Sequence, residues 1–103
     1  MHPLIEPYKT AVAEICRRHK VARLDVFGSA ARGDDFDPDR SDVDLLVEFE
    51  PSSPSPSLAE YFALRQQLAA LLRRPVDLVM DGAVRNPFVR AEIERSREPL
   101  YAP

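Results

Sequence analysis

Two stretches decide how this chain folds: GSAARG at residues 28–33 and SDVDLLV at residues 41–47. The first is a turn of small residues after an apolar run, where backbone N–H groups can approach an anion. The second begins a strand in which Asp42 and Asp44 point to the same face, because strand side chains alternate. Two carboxylates on one face repel each other unless a cation lies between them. The two stretches therefore indicate metal-assisted phosphoryl or nucleotidyl transfer.

Length and composition limit the class of protein. The chain has 103 residues, which fits one domain over residues 1–103. With 45% hydrophobic and 30% charged residues, it is predicted to be a soluble globular chain. Its net charge of −3 argues against a general nucleic-acid binder, so we expect no direct nucleic-acid binding. A nucleotide is not excluded, since a bound metal would offset its charge.

Cys16 is the single cysteine of the chain, so no intrachain disulfide forms and a reducing compartment is expected. We expect Cys16 to be a small buried residue of the first helix, and His2 and His19 to be surface residues. There is no signal-peptide pattern, and no apolar run approaches the roughly 18 residues of a membrane span. A cytoplasmic protein that does not enter the membrane is predicted.

Hydrophobic periodicity predicts an α+β fold with a small mixed sheet of three or four strands backed by helices. Ser57 followed by Glu60 is a capping box, and Asn86-Pro87 begins the last helix. The predicted helices cover residues 5–19, 29–32, 58–73 and 87–95, and the predicted strands cover 21–27, 43–50 and 76–80, with an edge segment at 99–101. In the third helix the residues expected to face inward are Leu58, Tyr61, Phe62, Leu64, Leu68, Leu71 and Leu72.

Asp77 is the best candidate for a third carboxylate at the same site. It interrupts an apolar strand, where a charge is costly unless it is paired or bound to a metal. If this strand neighbours the strand of Asp42 and Asp44, the three carboxylates converge, and oxygen ligands of this kind suit Mg²⁺ or Mn²⁺. A salt bridge from Asp77 to Arg74 or Arg85 is the alternative.

Other phosphate and metal motifs fail in detail. A P-loop requires Lys after Gly33, where this chain has Asp34. A calcium loop starting at Asp35 would need Gly at the position of Arg40 and Glu at the position of Leu46. The acidic residues of this segment are predicted to form a solvated loop: Asp34, Asp35, Asp37 and Asp39.

The residues of the two opening stretches resemble those of a known protein family. Gly28-Ser29, Ala31-Arg32-Gly33 and Ser41-Asp42-x-Asp44-Leu45 resemble the signature of the polymerase-beta-like nucleotidyltransferases. The short chain is similar to the minimal nucleotidyltransferases (MNT proteins), which include the antitoxin partners of HEPN-domain toxins. The similarity runs on through residues 72–79, Asn86-Pro87 and the ending at residues 98–101.

The resemblance implies roles for the matched residues. Gly28 and Ser29 would hold the nucleotide triphosphate through backbone N–H groups and the Ser29 hydroxyl. Arg32 would neutralise phosphate charge, or else pair with the acidic loop. The carboxylates that would bind the metals are Asp42, Asp44 and Asp77. Asp77 would also act as base toward the attacking hydroxyl.

By the same resemblance, the reaction is transfer of AMP from ATP to a tyrosine hydroxyl of a HEPN RNase toxin, with pyrophosphate leaving. The chain would then be an antitoxin. One alternative is a catalytically weak or inactive module that neutralises the toxin by direct binding. Another is an enzyme acting on a small molecule such as an aminoglycoside. The sequence leaves open the acceptor, the number of AMP units, the nucleotide preference, and whether the chain forms a homodimer or a hetero-oligomer.

Overall fold

In a computed structural model of the chain, residues 2–32, 37, 42–51 and 56–102 are described. The helices are α1 (Lys9–Arg18), α2 (Ser29–Arg32), α3 (Leu58–Leu72) and α4 (Pro87–Ser96), and the strands are β1 (Val21–Phe27), β2 (Val43–Phe49), β3 (Val76–Met80) and β4 (Glu98–Tyr101). Short 3-10 segments lie at Glu6–Tyr8 and Asp81–Ala83. The predicted elements are present; the first helix begins as a 3-10 turn that contains Pro7 rather than as an α-helix.

The four strands form one mixed sheet in the order β3-β2-β1-β4. β1 pairs with β2 and β4 antiparallel, whereas β2 and β3 run parallel and are connected through α3. The register places Asp44 opposite Asp77 on β3 and opposite Phe27 on β1. The predicted α+β class with a mixed sheet is confirmed.

One face of the sheet carries the main hydrophobic core. Alternate strand residues pack there against α1 and α3, and the buried members include Leu24, Val26, Val43, Leu45, Val47, Val76, Leu78, Val12, Leu64, Leu68 and Leu72. Cys16 lies in this core as predicted, fully buried. Burial raises the pKa of the Cys16 thiol to about 12, so the group stays protonated and unreactive.

The inward set expected for α3 is partly wrong. Leu64, Leu68 and Leu72 form the buried stripe, but Leu58 is 71% exposed and Phe62 is 48% exposed. At 3.6 residues per turn, Phe62 lies nearly opposite Leu64, and Leu58 lies about a third of a turn away from it. The apolar residues of α3 are therefore spread around the helix. Besides the buried row, Tyr61 and Leu71 are partly buried against the same core, as expected. The capping box of Ser57 and Glu60 is confirmed.

Two side chains of α3 reach the outer edge of β3. The Tyr61 hydroxyl donates to the Leu78 carbonyl, and Arg65 Nε donates to the Val76 carbonyl at 3.1 Å. Because the Pro75 carbonyl accepts from Val43 on β2, the carbonyls of alternate residues Val76 and Leu78 point away from β2. Helix α3 thus covers the edge of the sheet as well as its face.

The opposite face of the sheet carries a buried charge. Asp25 of β1 is 0% exposed; Arg97 Nε donates to its Oδ2 at 2.6 Å, and Arg23 Nε donates to its Oδ1 at 3.0 Å. Arg97 follows α4, so this ion pair joins the end of the last helix to the middle of β1. Within the described residues, no helix is long and apolar enough to cross a membrane.

We predict that Arg97→Ala lowers the free energy of unfolding by about 2–3 kcal/mol, since it leaves the Asp25 carboxylate buried with Arg23 as its remaining partner. Urea denaturation measures the change. The matched control is Arg95→Ala, which breaks an exposed pair with Glu92 and should cost about 0.5 kcal/mol or less. Equal costs for the two variants would show that the buried pair does not hold α4 to the sheet.

Candidate active site

The turn after β1 is built on the conformation of Gly28. Its φ of +69° lies in the left-handed region, which glycine adopts without a steric penalty. Its carbonyl accepts from the N–H groups of Ala31 and Arg32, both at 3.1 Å, and so begins α2 at Ser29. Gly33, which was expected to close this helical turn, lies outside the described residues.

The Gly28 backbone lies directly against the Asp44 carboxylate. A Cβ atom added to Gly28 would be 2.6 Å from Asp44 Oδ2, closer than real Cβ contacts allow. Glycine suits this position for its backbone conformation, and any side chain there would displace the Asp44 carboxylate. Gly28 of the small-residue turn and Asp44 of β2 are 16 residues apart in the sequence (28 to 44) and lie in direct contact in the fold.

The three aspartates occupy the ends of neighbouring strands. Asp44 and Asp77 lie opposite each other on the parallel strands β2 and β3, and Asp42 is exposed just before β2. Asp44 is half-buried, whereas Asp77 is exposed. Within the described ranges Asp77 forms no ion pair, so the alternative of a salt bridge to Arg74 or Arg85 is not what the structure shows.

The charges of Asp42 and Asp77 act on the ionisation of Asp44. Burial is the main reason that the pKa of Asp44 is raised from 3.8 to about 6. The negative charges of Asp77 and Asp42 raise this pKa further, and the positive charge of Arg32 lowers it. Ionised Asp44 is thus destabilised in the absence of a cation, and Arg32 lies near enough to act on the same site.

The donor chemistry of the site fits Mg²⁺ or Mn²⁺. Carboxylate oxygens on adjacent strands are the hard ligands that these ions prefer, and their mutual repulsion is what a divalent cation relieves. In the part of the chain that the structure describes, no three acidic, His or Cys side chains are already drawn together as a metal cluster.

Two features of this region were missed by sequence reasoning. Ser96, in the last turn of α4, accepts a hydrogen bond from the Gly28 N–H at 3.0 Å. The N–H that was expected to contact phosphate is therefore already engaged. Asp25 interrupts the apolar strand β1 just as Asp77 interrupts β3, so the same argument would have singled it out.

A model of the nucleotidyltransferase domain family matches residues 9–100 of the chain. The chain belongs to this family. Protein adenylyltransferase MntA of Thermococcus cleftensis is 38% identical over 88 residues, covering 85% of this chain and 81% of that protein. A candidate protein adenylyltransferase of Methanocaldococcus jannaschii is 39% identical over 77 residues, covering 75% of this chain and 74% of that protein.

Solved structures show the same fold. A candidate minimal nucleotidyltransferase has a TM-score of 0.75 with 35% identity, and the match covers 96% of each chain. A chain from the complex of a tri-AMPylated Shewanella oneidensis HEPN toxin with an MNT antitoxin has a TM-score of 0.67 with 18% identity, covering 96% of this chain and 73% of that one. The second likeness shows the fold alone. The predicted membership of the minimal nucleotidyltransferases is confirmed.

We predict that Gly28→Ala lowers the free energy of unfolding by about 2 kcal/mol or more, from left-handed strain and from the clash with Asp44 Oδ2. Urea unfolding is the measurement. Gly82→Ala is the matched control, because an added Cβ there meets nothing within 4 Å, and it should change stability by about 0.5 kcal/mol or less. A wild-type stability for Gly28→Ala would contradict the close approach.

We predict that Asp44→Asn stabilises the metal-free chain at pH 8. A carboxylate whose pKa is raised to about 6 on folding costs stability once it ionises, so the cost grows as pH rises from about 4 through 6. After allowance for solvent screening, a gain of about 1 kcal/mol is expected at pH 8 and none at pH 3.5. Thermal or urea unfolding across this range measures it.

The control for this pH series is Glu48→Gln, which neutralises an exposed carboxylate on the same strand. We expect it to show little difference from wild type at either pH. If Asp44→Asn were less stable than wild type at pH 8 without added metal, ionisation of Asp44 would not cost folding stability, and the raised pKa would be contradicted.

Proposed function

We propose that this chain is a protein adenylyltransferase that transfers AMP from ATP to a tyrosine hydroxyl of a HEPN-domain toxin, and that it acts as the antitoxin. The observation that supports this best is the contact of the Gly28 turn with Asp44, in register with Asp77 on the next strand. Family membership supports the reaction class, and the names of the relatives support a protein acceptor.

We assign the metal ligands to Asp42, Asp44 and Asp77. When bound, Mg²⁺ or Mn²⁺ would supply positive charge to the phosphate oxygens and to the attacking oxygen. Ser29 at the start of α2 would contact the triphosphate, and Arg32 would add a positive charge on the same side. A bound cation would offset the negative charges of Asp77 and Asp42, which add to burial in raising the pKa of Asp44.

The proposed step is an in-line displacement at the α-phosphorus. The tyrosine oxygen forms a bond to phosphorus while the bond from phosphorus to the bridging oxygen breaks, and pyrophosphate leaves with the electron pair. The hydroxyl proton passes to Asp77. The exposure of Asp77 suits this role, because the acceptor must reach the base from another molecule. A reducing cytoplasm that contains ATP is the compartment we propose.

A second candidate is a module that neutralises the toxin by contact, with little or no transfer. Apolar side chains that are exposed on α3, β3 and α4 favour it: Leu58, Phe62, Met80, Phe88 and Val89. Phe88 is 82% exposed, so a partner that covered it would gain hydrophobic free energy. A catalytic antitoxin could use the same exposed side chains, so the two candidates differ in chemistry rather than in partner.

We predict that the purified chain, with Mg²⁺ and ATP labelled at the α-phosphate, transfers label to its cognate HEPN protein. Asp44→Asn and Asp77→Asn should lower the rate by at least about 100-fold, since each removes a charged metal ligand. Glu48→Gln is the control carboxylate and should keep the wild-type rate. Mass spectrometry of the product locates the modified tyrosine.

Cell growth separates the two candidates. If Asp42→Asn/Asp44→Asn fails to protect cells from the toxin while the protein remains folded and bound to its partner, transfer is required. Full protection by that variant, together with the absence of label on the partner, would sink the adenylyltransferase proposal and support neutralisation by contact.

A further inference from the structure

Two adjacent residues at the end of α4 form side-chain hydrogen bonds to β1 and to the turn that follows it. Ser96 accepts the Gly28 N–H at the end of β1, and Arg97 pairs with Asp25 inside the strand. Arg97 is also held by Glu94 at 2.6 Å, so its side chain is fixed from both sides. The contact between Ser96 and Gly28 spans 68 residues of sequence, and it is the one that touches the turn of the active site.

The direction of the Ser96 hydrogen bonds is determined by its surroundings. A serine hydroxyl has one proton to donate and lone pairs to accept with. Ser96 Oγ donates its proton to the Glu92 carbonyl at 3.2 Å, one helical turn earlier. The lone pairs therefore face Gly28, and the hydroxyl is oriented as an acceptor before any ligand arrives.

The position of the Gly28 backbone affects both the Asp44 carboxylate and the start of α2. Its backbone leaves no room for a side chain against Asp44 Oδ2, and its carbonyl accepts the first two N–H groups that close α2. A movement of Gly28 of a few tenths of an ångström would change both the space beside Asp44 and the direction of α2. Ser96 is therefore linked through one hydrogen bond to the carboxylate and to the triphosphate side of the site.

We propose that Ser96 is a positioning residue for nucleotide binding: it holds the Gly28 turn in its binding geometry and leaves the phosphate contacts of the turn to Ser29. This inference rests on the proposed nucleotide chemistry. It assigns to the last helix a role in the site that neither the motif residues nor the family resemblance implies. In this role Ser96 acts through the Gly28 N–H and not by contact with substrate or metal, so its effect is on affinity for the nucleotide rather than on the chemical step.

The first test is amide hydrogen exchange at Gly28 in the ligand-free chain, which needs no activity. Ser96→Ala removes the acceptor and should speed exchange of the Gly28 N–H by about tenfold, while Ser96→Thr keeps a hydroxyl and should retain the protection. Ser57→Ala is the control serine, since it breaks a helix cap remote from the turn and should leave Gly28 unchanged.

The second test is the kinetics of AMP transfer with the same three variants. Ser96→Ala should raise KM for ATP about fivefold to tenfold, the value of one lost hydrogen bond, with kcat within about twofold of wild type. Ser96→Thr should restore KM, and Ser57→Ala should lower Tm without changing KM. Calorimetry with a non-hydrolysable ATP analogue and Mg²⁺ gives the affinity directly.

The outcomes are distinguishable. A wild-type KM for Ser96→Ala, or a rise in KM that Ser57→Ala matches, would overturn the positioning role while leaving the adenylyltransferase in place. If the wild-type chain binds no ATP analogue, the proposed function fails and the nucleotide role of Ser96 fails with it. Gly28 exchange would then report only a structural hydrogen bond.

Discussion

The parallel pairing of β2 with β3 is the constraint on which the site depends. Val76 and Leu78 are buried in the core, and the alternation of a strand then turns Asp77 to the other face, opposite Asp44. A slip of one residue would expose two core side chains and bury the carboxylate. The hydrophobic energy that fixes the register of the sheet therefore also brings two like charges together.

Bringing these charges together works against the stability of the empty protein. Asp44 is half-buried against the Gly28 backbone and faces other carboxylates, and the positive charge of Arg32 offsets only part of this cost. Such a site is electrostatically unfavourable as it stands, and a bound cation would relieve it, which would couple folding stability to ligand binding. The buried pair of Asp25 with Arg97 has the opposite character, since both charges are already satisfied and hold two elements together.

The strands and most helix limits could be predicted because alternation and capping residues are local signals. Asp77 was found because a charge in an apolar strand is costly, and Asp25 carried the same signal but was overlooked. The inward placement of Leu58 and Phe62 was wrong because α3 has apolar residues around its whole circumference, so periodicity could not select the buried row. Ser96 had no local signal, since its partner is distant in sequence and was identified only by the packing of α4.

The Tyr61 and Arg65 side chains donate hydrogen bonds to carbonyls at the free edge of β3, and this affects how the sheet can pair with other chains. A sheet edge with free carbonyls and N–H groups recruits strands from other chains, in both specific pairing and aggregation. Here α3 satisfies the carbonyls at one edge, and the strand at the other edge contains Pro99, which has no N–H to donate. Pairing of an added strand is therefore hindered at the β3 carbonyls and at Pro99, which favours recognition of a partner through its side chains over backbone pairing.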